Sequence, residues 1–129
     1  MIIEQVVKGD QRGQLVAIES GLDIPFEIKR VFYIYGTEKN IPRGQHAHCK
    51  TSQYLVAVSG SCKVTLDNGY QKQTYCLNQP NIGLIQGEMI WGEMHDFSYD
   101  CVLVVMASHN YDSEDYIHSY ADFIRRVSK

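Results

Sequence analysis

No apolar run in this chain approaches the ~20 residues needed to cross a bilayer as a helix, so no membrane-spanning segment is expected. The stretch Met1–Lys8 breaks its apolar residues with charges every few positions and has neither an h-region nor a cleavage signature, which argues against secretion. Basic charge is also scarce. Twelve Lys and Arg stand against fifteen Asp and Glu for a net charge of -3, and the cations are scattered rather than gathered into a stripe, so a nucleic-acid polymer is excluded as a partner class. The four cysteines, Cys49, Cys62, Cys76 and Cys101, show no Cys-x-x-Cys spacing and fall in strand-like segments. That argues against a zinc knuckle or disulfide framework, and for free thiols in a reduced, cytoplasmic protein. Repeats, low-complexity tracts and linkers are absent too. With 129 residues, 44% hydrophobic and 21% charged, residues 1–129 read as one domain around a single core.

What the chain does have is short β-branched and aromatic runs separated by Gly, Asn, Asp and Pro, the pattern of an antiparallel sandwich or barrel. Strands are expected over Leu15–Ile18, Ile28–Tyr35, Tyr54–Val58, Cys62–Leu66, Gln73–Leu77, Ile82–Ile85 and Cys101–Met106. Ser59-Gly60-Ser61 reads as a tight hairpin, and Asp67-Asn68-Gly69 supplies residues that tolerate positive φ at a second one. Near the end, Asp112-Ser113-Glu114-Asp115 offers cap-competent and acidic residues ahead of Tyr116, Ile117, Tyr120, Ile124 and Val127 at helical spacing. One C-terminal α-helix is predicted there. Arg125, Arg126 and Lys129 in its last turn complement the negative end of its dipole.

The chemistry concentrates in Pro42-Arg43-Gly44-Gln45-His46-Ala47-His48, followed by Gln53 and Gly60. Side chains two apart on a strand point the same way, so His46 and His48 project together into one pocket. An imidazole titrates near neutrality, which suits such a pair to metal ligation or to proton transfer. His95, followed by Asp96 as an orienting partner, is either a turn histidine or a further site group. Trp91 and Phe97 serve equally as core aromatics or as a stacking surface. Arg12, Lys29 and Arg30 read as solvated strand ends, the alternative being that one of them reaches a phosphate. His109 and His118 receive no role.

Gly44-x-His46-x-His48, Gln53 and Gly60 resemble the first motif of the cupin family, which implies an all-β double-stranded β-helix, or jelly-roll barrel, with the C-terminal helix appended. In metal-binding cupins the place of Gln53 usually holds a glutamate ligand, and a third histidine follows the second motif near Gly87–Gly92. Neither stands here, although His95 lies close by in sequence. A neutral amide weakens a divalent-cation site, so the metal-free, cofactor-free reading is favoured.

Longer blocks narrow the resemblance: Arg12-Gly13-x-Leu15-Val16-Ala17-Ile18-Glu19, Ile24-Pro25-Phe26-x-Ile28-Lys29-Arg30-Val31-x-Tyr33-Ile34, Leu66-Asp67-x-Gly69 and Trp91-x-Glu93-Met94-His95-Asp96-Phe97-Ser98. These are similar to the sugar 3,4-ketoisomerases of the FdtA/QdtA (WxcM-like) group. The resemblance implies an isomerase that moves the carbonyl of a thymidine-diphosphate-linked 4-keto-6-deoxyglucose from C4 to C3, in the biosynthesis of 3-amino-3,6-dideoxyhexoses. His46 and His48 match the catalytic histidines. Tyr33, Arg43, Gln53, Trp91 and His95 are the expected substrate contacts, and a homodimer with an exchanged N-terminal strand is expected. Gly92 departs from the pattern, since relatives can carry a larger polar residue after the tryptophan. The alternatives are a 3,5-epimerase-like cupin, a non-catalytic sugar-binding cupin and a metal-dependent dioxygenase.

Overall fold

The alternating runs become two five-stranded antiparallel sheets in the computed structural model, which describes residues 1–128. Lys129, expected in the last helical turn, lies outside the described residues. The strands are β1 (Ile2–Glu4), β2 (Val7–Asp10), β3 (Gly13–Val16), β4 (Arg30–Ile34), β5 (Arg43–His48), β6 (Gln53–Ser59), β7 (Cys62–Asp67), β8 (Lys72–Leu77), β9 (Ile82–Gln86), β10 (Trp91–His95), β11 (Val102–Ala107) and β12 (Tyr116–Ile117), followed by helix α1 (Tyr120–Val127). One sheet runs β1-β9-β6-β11-β4 and the other β12-β5-β10-β7-β8, while β2 and β3 pair only with each other. This is the expected all-β architecture with a C-terminal helix.

Between the sheets, Leu55, Ala57, Val64, Leu77, Leu84, Leu103 and Val105 close into the inner core, flanked by Phe32, Ile34 and Met94. Each large apolar side chain so buried contributes roughly 1.5–3 kcal/mol. Each outer face is partly covered as well. Ile24, Phe26 and Ile28 lie over Tyr54 and Val56 on the first sheet, and α1 lays Phe123, Ile124 and Val127 against Ala47, Ile117 and Trp91 on the second.

Two local expectations change. Ser59-Gly60-Ser61 is not a hairpin: β6 and β7 belong to different sheets, and the turn carries the chain across the barrel. Positive φ at Gly60 is the same chemistry in either case, so the turn residues alone could not distinguish pairing from crossing. The Asp67–Gly69 hairpin stands, with Asp67 Oδ1 accepting from Gly69 N and Asn68 Oδ1 accepting from Tyr70 N and Gln71 N. The helix starts later than expected. Asp112 caps only a short 3₁₀ turn over Ser113–Asp115, Tyr116 and Ile117 pair with His48 and Ala47 as β12, and Ser119 is the N-cap of α1.

Candidate active site

Cross-strand pairing builds a polar row inside the barrel. Ala107 pairs with Arg30 on one side and Gln53 on the other, and Gln53 pairs with Gln86. Paired side chains share a face, and Leu55 and Ala57, two and four residues after Gln53, sit in the inner core. Arg30, Gln53 and Gln86 therefore face inward. From the opposite sheet, His48 pairs with Tyr116 and His46 with Gly92, bringing the two histidines to the same interior.

The approach to His46 is bent on purpose by the sequence. The β5/β10 register slips so that His46 opposes Gly92 and Gly44 opposes Glu93, leaving Gln45 as the extra residue of a bulge. Gly44 and Gln45 both have positive φ, 86° and 60°. A Cβ at Gly44 would also come within 3.0 Å of the Gly92 carbonyl, so glycine suits this place on two counts. Bulges re-aim side chains, and here the turn-back places Gly44 O 3.1 Å from His46 Nδ1. A carbonyl oxygen only accepts, so Nδ1 carries the proton and the Nε2 lone pair is left free.

The two imidazoles meet edge-on with centroids 5.0 Å apart, and Tyr116 lies 4.9 Å from His46 and 4.5 Å from His48. Burial lowers the pKa of both. His48 is pushed down to about 4, first by desolvation and then by electrostatic coupling to His46, with the attraction of Asp115 opposing and Arg30 and His118 adding to the depression. His46 is lowered by desolvation, with the Gly44 carbonyl opposing. Both rings are thus neutral near pH 7, each able to accept a proton. Arg30 supplies fixed positive charge, its guanidinium held 4.7 Å over Phe32 and 5.2 Å over Tyr111.

Asp115 anchors the strand end just past His48. It is buried and accepts from Lys50 N at 2.8 Å and from the Thr51 hydroxyl, while its own carbonyl accepts from Cys49 N.

Of the expected contacts, the structure brings Gln53 into the barrel and leaves others outside. Tyr33 pairs with Val104, which belongs to the outer cluster, and is exposed. On β7, Val64 points into the core and Thr65 away from it. Trp91, opposite Asp67, and His95, opposite Lys63, follow Thr65 and face away from the histidine pair. Trp91 packs under α1, 5.3 Å from Tyr120 and 5.8 Å from Phe123. His95 is taken up by Thr65 Oγ1 at 2.7 Å and Asp96 at 3.3 Å. It does not join His46 and His48, and among the described residues no three His, Cys, Asp or Glu side chains gather to hold a metal ion. Arg43, at the opposite end of β5 from His48, lines a small cleft of about 220 Å³ with Tyr35, Glu38 and Ile41.

Gln86, Tyr111, Tyr116 and His118 are site neighbours to which the sequence pattern assigns no role, and Arg30, expected as a solvated strand end, instead faces the barrel interior because it pairs with Ala107 on the inner face of β11. For Arg30 a signal exists: Arg30, Phe32 and Ile34 alternate, so a cation sits on an otherwise apolar strand face. Tyr116-Ile117-His118 also alternates, but the acidic residues before it read as a helix cap. His118 stacks on Tyr116 at 5.4 Å and 8°, with its centroid 6.0 Å from His46. A cleft of about 700 Å³ opens at the barrel end beside Leu66, Gln73, Gly87 and Ser108. Another, of about 450 Å³, lies on the outer face between Trp91, Glu93, Tyr120 and His118.

Comparison with known proteins finds close relatives. Residues 1–128 match the family described as WxcM-like, C-terminal (FdtA). A TDP-4-oxo-6-deoxy-alpha-D-glucose-3,4-oxoisomerase from Aneurinibacillus thermoaerophilus is 52% identical over 93% of this chain and 86% of its own. Among solved structures, a 3,4-ketoisomerase from Helicobacter canadensis superposes with TM-score 0.97 at 44% identity, covering 100% of this chain and 97% of that one. QdtA from Thermoanaerobacterium thermosaccharolyticum, a 3,4-ketoisomerase solved as a histidine-to-asparagine mutant with TDP-4-keto-6-deoxyglucose, has TM-score 0.97 at 41% identity over 99% of this chain and 93% of its own.

Proposed function

The chain belongs to the FdtA (WxcM-like, C-terminal) family, and from that premise we propose that it is a sugar-nucleotide 3,4-ketoisomerase acting on a thymidine-diphosphate-linked 4-keto-6-deoxyglucose. The observation that carries the reading is the neutral imidazole pair, His46 and His48, edge to edge inside the barrel with Arg30 nearby. The relatives at 41–52% identity are ketoisomerases by name, which favours this activity over epimerisation or sugar binding alone.

In this mechanism the hydrogen on C3 is acidic because it lies α to the C4 ketone. His46 Nε2, the lone pair left free by the Gly44 bond, takes that proton, and the C3–H electrons form the C3=C4 bond of an enediolate with charge on O4. The Arg30 guanidinium offsets the developing charge. His48, the weaker base of the two with its pKa near 4, moves the O3 proton to O4. Return of a proton to C4 leaves the ketone at C3. The step is an isomerisation: no electrons leave the substrate, and the residues here carry it without a redox group.

Gln53 and Gln86 are assigned to the sugar hydroxyls, and Arg43 at the exposed start of β5 to the diphosphate. Trp91, His95 and Tyr33 are not given sugar contacts, because they lie on outer faces.

The functional unit of this reading is a homodimer of one-domain chains with exchanged N-terminal arms. Support comes from the β2–β3 hairpin, which pairs with neither sheet and exposes Val7 and Leu15, and from exposed Val31, Tyr33 and Tyr35 beside the free edge of β4. The reading places the enzyme in the cytoplasm, in keeping with its free cysteines and with the absence, among the described residues, of any helix long and apolar enough to cross a membrane.

Incubation with the 4-keto sugar nucleotide in deuterated water, followed by NMR, tests the proposal. A 3-keto product labelled at C4, formed equally well after dialysis against chelator, is expected. Label at C5, or no product, would overturn it.

A further inference from the structure

His118 is the one histidine near the site that neither the sequence pattern nor the mechanism above employs. Its position is specific. It follows β12, two residues after Tyr116, and strand alternation returns its ring to the side that Tyr116 occupies. The ring lies flat on Tyr116, which itself touches both His46 and His48. The three imidazoles form a gradient of exposure: His48 is 3% exposed, His46 half-buried and His118 exposed. His118 also borders the outer cleft of about 450 Å³ with Gln45, Trp91, Glu93 and Tyr120. It therefore stands between the buried pair and solvent, 6.0 Å centroid to centroid from His46.

A ketoisomerase base faces a choice after it takes the proton from C3. It can hand the same proton to C4, or lose it to solvent and return a different one. Both routes give the same product, but they differ in where the hydrogen at C4 came from. Burial slows direct contact of the imidazolium with water, so solvent exchange needs a group that reaches both.

Building on the ketoisomerase reading, we propose that His118 is the proton-exchange relay of the site, connecting the His46 imidazole to the outer cleft. His46 Nε2, protonated by C3–H, gives that proton through one water to the His118 imidazole, which releases a proton to bulk; the reverse path returns a solvent proton for C4. Protons balance over the cycle and no electrons are transferred. His118 does not touch the reacting carbons and acts through His46.

The test counts label per product formed. Wild type and His118→Phe, which keeps an aromatic ring on Tyr116, are run to low conversion in deuterated water, and in parallel with substrate deuterated at C3 in ordinary water. The relay predicts that His118→Phe takes up several-fold less solvent deuterium at C4 and retains correspondingly more of the C3 label. It also predicts that free imidazole added to His118→Ala restores solvent exchange. A structural role for the ring would alter rate or stability without changing the origin of the C4 hydrogen. An active wild type whose His118→Phe variant shows the same label fractions overturns the relay alone. A wild type that forms no 3-keto product defeats the ketoisomerase reading and the relay with it, so the two failures are distinguishable.

Discussion

Gly92 lies directly across the strand pair from His46, and a Cβ placed on it would come within 2.5 Å of Gln86 Nε2. The missing side chain opposite the base is thus the space occupied by a glutamine from the facing sheet. Gln86 is buried and donates to the Ile90 carbonyl at 3.0 Å, which braces the turn between β9 and β10 beside the site. Gly92→Ala is expected to push that amide aside. The cost is about 1–3 kcal/mol in chemical denaturation, with a lower kcat from the disturbed wall beside His46. A variant with unchanged stability and turnover would show that Gln86 relocates freely.

Replacing either His46 or His48 by Asn keeps the side chain polar and similar in size but removes the base. Turnover should fall by a factor of roughly 10²–10⁴, while calorimetric affinity for the sugar nucleotide is retained. Loss of affinity with turnover of bound substrate intact would assign the rings to binding.

Stability should decline in mild acid with a definite sign. The folded-state pKa of His48 is lowered to about 4 and that of His46 is lowered too, so between pH 6.5 and 4 the unfolded chain binds protons that the native one refuses. Stability conferred by the neutral rings is fully present above pH 6.5 and falls by at most about 1.4 kcal/mol per pH unit for each ring on the way down, levelling off below the folded values. Denaturant midpoints measured across that range in His48→Asn should show a shallower slope than wild type.

Asp115 holds the segment after His48 through Lys50 N and the Thr51 hydroxyl. Asp115→Ala leaves buried donors without partners and is expected to cost about 2–3 kcal/mol. Its charge also raises the His48 pKa, so the Asn variant should shift the acid limb of kcat/KM to lower pH, a change that loss of stability alone would not produce.

The arm tests assembly. Leu15→Glu and Val7→Asp place charge on the exposed hairpin, and light scattering should then report monomers in place of the proposed wild-type dimer. Dimers that persist in both variants would remove the arm from the interface.

Part of the geometry of this candidate site is legible in the sequence. The i, i+2 spacing put His46 and His48 on one strand face, and Arg43-Gly44 marked the bend ahead of them. Gln53 followed at the cupin distance and does face inward. Tyr33, Trp91 and His95 fell on outer faces for a common reason. Both faces of each sheet carry apolar residues, the outer ones packed in part by α1 on the second sheet and by the Ile24–Ile28 segment on the first. Strand alternation then divides residues into two sets without saying which set lines the cavity.

The strand-rich class, the terminal helix, the Asp67–Gly69 hairpin and the shared orientation of the two imidazoles follow from local pattern, because each depends on backbone geometry over a few neighbouring residues. Long-range packing sets the rest: the chain crosses between sheets at Ser59–Ser61, Arg30 points inward, and Tyr116 and His118 join the pair from 68 residues or more beyond His48. Those outcomes depend on which strand lies beside which, and pairing of distant segments is set by burial of the whole core rather than by local preference.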